Sequence, residues 1–160
     1  MTYNNGMKSK PAKRVAPAMA AEFEEDGIHF RYPDSWKLER EQNEDGWTVS
    51  LQSPDTAFFM ICLREDQPDP VQMADTALEA LREEYQDLEA EDCVDLMAGK
   101  SAVGHDIRFF SFDLTNTCWT RSFDSPRGTV LVMAQVNDLE HETNEPLLRA
   151  ICKSIAVDEE

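Results

Sequence analysis

Residues 101–137 read SAVGHDIRFFSFDLTNTCWTRSFDSPRGTVLVMAQVN. Three strand-like runs stand out: Val103 to Leu114, Thr117 to Asp124 and Thr129 to Asn137. Asn116 flanked by threonines marks the first break, and Ser125-Pro126-Arg127-Gly128 marks the second. That spacing predicts an antiparallel meander, because turn-forming residues recur between runs of β-branched and aromatic side chains. In the first run His105, Ile107 and Phe109 hold one phase of the pleat, whereas Phe110, Phe112 and Leu114 hold the other. The apolar face therefore switches at the Phe109-Phe110 step, and a bulge is one physical way to do that. Leu131, Val132, Met133 and Ala134 are apolar on both phases and predict an interior strand.

Working outward, Ile28, Phe30 and Tyr32 alternate with His29 and Arg31, the period of a half-buried strand. Trp36 and Leu38, then Trp47, Val49 and Leu51 beyond the Asn43-Glu44-Asp45-Gly46 turn, predict a hairpin with a tryptophan on each arm. Ala57 to Leu63 is apolar at every position, as expected of a strand covered on both faces. Asp69-Pro70 predicts a helix start, the aspartate capping and the proline at a position whose missing N–H is unneeded. Ala74, Ala77, Leu78, Leu81, Tyr85 and Leu88 form its apolar stripe. Asp92 to Met97 and a turn at Gly99 lead into the meander. A last helix, capped by Thr143, Asn144 or Glu145 with Pro146 in its first turn, carries Leu148, Ile151, Cys152 and Ile155. The pattern predicts an α+β fold, a meander-rich antiparallel β-sheet flanked by helices.

Charge divides the chain. Residues 1–21 hold Lys8, Lys10, Lys13 and Arg14 and no acidic side chain, which leaves 11 basic against 32 acidic residues beyond them. With no apolar period, residues 1–21 are expected to be a disordered basic tail, residues 22–157 a single domain and residues 158–160 a frayed acidic end. The acidic field disfavours nucleic acid and anionic membrane, whose phosphates need clustered Lys and Arg, and suits a protein partner with a basic surface. A homodimer is compatible with the same composition. No run approaches the roughly 20 apolar residues of a bilayer span, and the segment 15–21 lacks a secretory core, so a cytoplasmic location is expected.

Catalytic motifs are missing. Gly99-Lys100-Ser101 resembles the end of a phosphate-binding loop, but Val94 stands where that motif needs glycine. Cys62, Cys93, Cys118 and Cys152 are scattered and read as free thiols, and no cofactor is implied. Glu140-His141-Glu142 is a weak metal candidate, since adjacent side chains diverge. Cys118 could act as a nucleophile only if His105 or His29 reached it. Arg108 and Arg121 read as partners of carboxylates across the sheet.

The string Phe30-Arg31-Tyr32-Pro33-Asp34-Ser35-Trp36, Gly99-Lys100-Ser101-Ala102 opening the long strand, and Leu147-Leu148-x-x-Ile151-x-x-Ser154-Ile155 at the end resemble the PsbP/Mog-like (DcrB-like) α/β/α sandwich family. The resemblance spans about residues 23–156 and implies an antiparallel sheet with helices on its faces, and binding or assembly roles. It carries over no metal, nucleotide or GTPase contact. The leading expectation is a non-catalytic protein-interaction or assembly domain. A chaperone-like adaptor of secretion effectors and a small enzyme with a cysteine or carboxylate site are the alternatives. The residues singled out for partner binding are Phe110, Phe112, Trp119 and Met133, because the meander holds more large apolar side chains than one helix needs. Either some of them line an exposed surface, or helices cover both faces of the sheet.

Overall fold

The computed structural model describes residues 18–159. Its strands are β1 (Ala21–Glu25), β2 (Ile28–Tyr32), β3 (Lys37–Asn43), β4 (Gly46–Gln52), β5 (Phe58–Arg64), β6 (Glu89–Met97), β7 (Lys100–Ser111), β8 (Leu114–Ser125), β9 (Gly128–Asn137) and β10 (Ala156–Val157). Two helices, α1 (Pro70–Glu84) and α2 (His141–Ser154), complete the described residues. Seven strands form one antiparallel sheet in the order β3-β4-β5-β9-β8-β7-β6, and β1-β2-β10 form a small second sheet. Among the described residues no helix is long and apolar enough to cross a membrane.

Alternation along the strands separates two cores. Trp47, Val49, Leu51, Phe59, Ile61, Leu63, Val130, Val132, Ala134, Trp119 and Phe123 point to one face, where Phe30 of β2 and Leu147, Leu148, Ile151 and Cys152 of α2 meet them. Aromatic packing joins the layers, with Phe30 and Phe59 ring centroids 5.4 Å apart and Phe23 and Trp47 also 5.4 Å apart. On the opposite face Leu78 and Leu81 of α1, with Tyr85 just past its end, cover Ile107, Phe109, Cys118 and Met133. The sheet is thus sandwiched between α1 and a layer of α2 with the small sheet, as the sequence pattern and the PsbP-like resemblance lead one to expect.

Local signals were accurate at α1, where the Asp69 carboxylate accepts a hydrogen bond from the Val71 N–H and Pro70 opens the helix. That helix ends at Glu84, earlier than the apolar stripe to Leu88 suggests, since Tyr85 has already turned to extended backbone. Its short span leaves β5 half covered: Phe58, Met60 and Cys62 are only partly buried, contrary to the expectation of two closed faces. α1 lies over β7, β8 and β9 instead.

Two expectations about the meander are corrected. The turn falls at Phe112-Asp113, both at positive φ, while Asn116 lies buried inside β8. The β7–β8 register runs unbroken from Val103 opposite Ser122 to Ser111 opposite Leu114, so there is no bulge and no phase switch. His105, Ile107 and Phe109 face α1 throughout, and Phe110 points away.

The ends differ as well. Ala21 opens β1, Met19 packs on the larger core, and the Met19 carbonyl accepts from Arg31 Nε at 3.2 Å. The domain therefore begins before Glu22; residues 1–17 of the expected tail lie outside the described residues. α2 begins at His141, with Pro146 inside it, and its start is held from neighbouring loops: Asn137 Oδ1 accepts from the Leu139 and Glu140 amides, and Glu140 accepts from Thr56 N at 3.0 Å. Asp158, expected to fray, donates its amide to Gly27 O at 2.8 Å and receives His29 at 3.1 Å.

Gly104 shows how tightly β7 and β8 meet, since a Cβ there would stand 1.9 Å from the Thr120 carbonyl oxygen. A Gly104→Ala chain should lose about 1–3 kcal/mol of stability, the usual cost of overpacking, read from its urea midpoint. An unchanged midpoint would show that the two strands part freely.

Candidate functional site

A cleft runs between α2 and the outer strands β6–β8 on the α2 face. Trp119 is its floor, 2% exposed and placed opposite Asp106 on β7 and Ala134 on β9. Arg149 of α2 lies over the indole, its guanidinium carbon 3.8 Å from the ring centroid, and binds Glu145 Oε2 at 3.3 Å. This cation–π lid divides the cleft. One side holds about 440 Å³ and is lined by Glu89, Glu91, Asp106, Arg108, Thr117 and Trp119. The other holds about 310 Å³, beside Asp95, Met97, Arg121, Cys152 and Lys153.

Arg121 organises the floor. Its Nε donates to Asp95 Oδ2 at 3.1 Å, Nη2 to Asp106 Oδ1 at 3.0 Å and Nη1 to the Thr120 carbonyl at 2.7 Å. Burial pulls this guanidinium's pKa down, but the bonds to Asp106 and Asp95 outweigh it and hold the pKa above its usual value. The pairing of Arg121 with strand carboxylates is the one anticipated from the sequence. An arginine held by two carboxylates in this way ties the strands together, with most of its fork already committed.

In its cysteine form the enzyme alternative needs an activated thiol, and among the described residues no histidine pairs with a cysteine. Cys118 is wholly buried, and burial pushes its thiol up to about 12. His105 shares its face of the sheet but directs Nε2 to Asp92 at 3.2 Å and Asp75 at 3.5 Å. His29 lies on the other sheet and pairs with Asp158. Burial also raises Cys62 and Cys152, each to about 11. The metal candidate fares no better: His141 pairs with Glu145 at 2.6 Å, and no group of three possible ligands occurs among the described residues.

The four residues singled out for partner binding do not form one surface. Phe110 is 68% exposed and Phe112 95%, both at the β7–β8 tip. Trp119 lies beneath Arg149 on the α2 face, and Met133 is half-buried under α1 on the other face. A further exposed apolar residue, not foreseen, is Leu139, 79% exposed in the loop after β9, whose Asp138 N–H bonds the Thr115 carbonyl close to the β7–β8 turn. Val94 and Leu96 on edge strand β6, 71% and 77% exposed, were likewise read only as a hairpin arm. Their alternation with Asp95 between them was the available signal.

No protein-family model and no curated protein matches the chain. Solved structures do match its fold. A Bacteroides thetaiotaomicron structure aligns with TM-score 0.60 at 11% identity over 89% of this chain, which spans 50% of that one. The solution structure of cyanobacterial PsbP from Synechocystis aligns with TM-score 0.59 at 12% identity, covering 94% of this chain and 98% of its own. A Pseudomonas aeruginosa protein of unknown function aligns with TM-score 0.52 at 12% identity, covering 86% of this chain and 96% of that one. The chain has a PsbP-like α+β fold. At these identities the likeness concerns architecture alone.

The thiols give a direct test of the cysteine form of the enzyme alternative. Because the folded chain holds the Cys118 proton up to about 12 against an ordinary 9.0, the stability this group contributes is complete below pH 9 and is lost as pH climbs toward 12. Urea midpoints measured from pH 8 to 10.5 should fall, and Cys118→Ala should make that fall shallower. Thiol labelling of the native chain at pH 8 should reach Cys93, half-exposed on the edge strand, while Cys118 stays protected until unfolding. Rapid labelling of Cys118 in the folded chain would contradict both.

Proposed function

We propose that this chain is a non-catalytic protein-interaction domain that grips its partner with the apolar tip formed by Phe110, Phe112 and Leu139. The observation that carries the reading is Phe112. It is 95% exposed and sits at φ 55° beside Asp113 at φ 62°, in a two-residue turn. Such turns favour Asn and Gly, and a side chain held in left-handed backbone costs about 1–2 kcal/mol. The equivalent turns at Asp26-Gly27 and Ala98-Gly99 place glycine at one of the two positions. Phe112 contributes almost no burial to the fold and opposes its own turn, a combination that suits a binding anchor better than a structural residue.

Phe110 and Leu139 extend the patch, and the surrounding field is acidic, with a formal charge of −17 for the whole chain. An apolar centre with a charged rim is the usual anatomy of a protein–protein contact. The acidic field also supports a protein over nucleic acid or anionic membrane as the partner.

A photo-cross-linking amino acid placed at 112 tests the reading in the source cells, with exposed Glu41 on β3 as the control position. Adducts to a discrete protein are expected at 112, absent at 41 and lost when Phe110→Asp is added. Equal adducts at both positions would overturn the assignment. Phe112→Asn should raise stability by about 1 kcal/mol, as the left-handed backbone is relieved, and abolish partner capture. A destabilised Phe112→Asn chain would instead make Phe112 a structural residue.

A further inference from the structure

We infer that the outer edge of β6 is a second docking site, one that accepts an extended partner strand carrying basic residues, added antiparallel to the sheet. Among the described residues β6 is the last strand of the seven and bonds only to β7, so one side of its backbone over Glu89–Met97 has no described strand to pair with. Open edges in proteins are guarded by charged side chains, lysine above all, by proline, bulges, short length or a covering element. Among the described residues β6 has only the first of these, as carboxylates, which repel a second copy but not a basic strand. It is nine residues long, contains no lysine or proline, and pairs with β7 without a bulge. The 71% and 77% exposure of Val94 and Leu96 leaves no room for a cover there. The opposite edge is different: β3 carries exposed Lys37 and Arg40. In the small sheet β10 is only two residues long.

Charge selects the occupant. Glu89, Glu91, Asp92 and Asp95 are the only charged residues of β6. Self-pairing of two copies would set four carboxylates against four, so a second copy of this edge is disfavoured. Asp95 is already engaged by Arg121, and Asp92 by His105. Glu89 and Glu91 remain for a partner, both on the α2 face, whereas Val94 and Leu96 point to the α1 face. An incoming antiparallel strand therefore meets Leu96 and Val94 first and Glu91 and Glu89 last. It requires two apolar residues two apart near its start and two basic residues two apart near its end, on opposite faces. This contact lies on different residues from the apolar tip and shares with that reading only the premise that the chain binds proteins.

The probe is a fluorescent nonapeptide, Thr-Val-Thr-Val-Thr-Thr-Lys-Thr-Lys, titrated against the full chain at low salt. Saturable binding is expected, with slowed hydrogen exchange confined to the β6 amides and β3 unchanged. A peptide with glutamate in place of both lysines, and one N-methylated at alternate residues, should each bind at least tenfold more weakly. Glu89→Lys with Glu91→Lys should reverse the charge preference, and Phe110→Asp with Phe112→Asp should leave peptide affinity unchanged. Equal binding of the N-methylated peptide, or protection elsewhere than β6, would overturn the inference. So would a chain lacking residues 1–17 in which the β6 amides exchange faster, because the occupant would then be the chain's own basic segment. Failure of the peptide would leave cross-linking at 112 untouched, so the two readings fail separately.

Discussion

β9 has no free face, and the layers follow from that. Its first five residues, Gly128 to Val132, are all buried, and it stands between β5 and β8 at the middle of the sheet. A strand apolar on both phases loses its burial if either side is left to water, at about 25 cal/mol per Å² exposed. One cover is α2 with the small sheet, anchored by Phe30, Leu148 and Ile151; the other is α1, anchored by Leu78. α1 is fifteen residues long, roughly 22 Å at 1.5 Å per residue, and spans only β7 to β9. The half-buried side chains of β5 and the exposed polar face of β3–β4 are consequences of that short helix.

The outer strands are governed by polar contacts more than by apolar packing. Arg121 reaches from β8 to Asp95 on β6 and Asp106 on β7, tying the three strands on the α2 face where no helix lies squarely over them. His105 does the equivalent on the α1 face through Asp92 and Asp75. A sheet held this way at its margin keeps its edge extended and in register without an apolar cover. That is why β6 can be long, solvated on both faces and still ordered.

What the sequence disclosed follows how local each cause is. The Asp69-Pro70 start of α1 was legible because a cap needs only its own next two residues. The hairpin arms were legible from period 2 alone. The Asp26-Gly27 turn before Ile28 is also a strong local hairpin signal, yet β1 was not anticipated, because Phe23, stacked on Phe30, is its one large apolar side chain among Glu22, Glu24 and Glu25. The β7–β8 turn was misplaced because Asn116 has turn chemistry and Phe112 does not, while the register is set by nine cross-strand pairs that no single residue announces. Trp119 and Met133 were grouped as neighbours in composition. Whether they share a face depends on how β8 pairs with β9, where Met133 stands opposite Thr120 and not Trp119.

The acidic field and the two exposed apolar features act together. An uncharged surface with Phe110, Phe112 and Leu139 at one end and Val94 and Leu96 on an open edge would invite self-association through both. The described domain instead carries a large excess of carboxylates over cations, so every approach between copies is opposed at long range while each apolar contact acts only at short range. At physiological salt, with a Debye length of about 8 Å, that repulsion still operates over the last few ångströms before contact. A partner with a basic rim meets attraction in place of repulsion along the same path, so its encounter rate rises as that of a second copy falls. On the proposed reading of both features as docking sites, selectivity would come from the charge around the apolar residues, and binding strength from the apolar residues and the open backbone edge themselves.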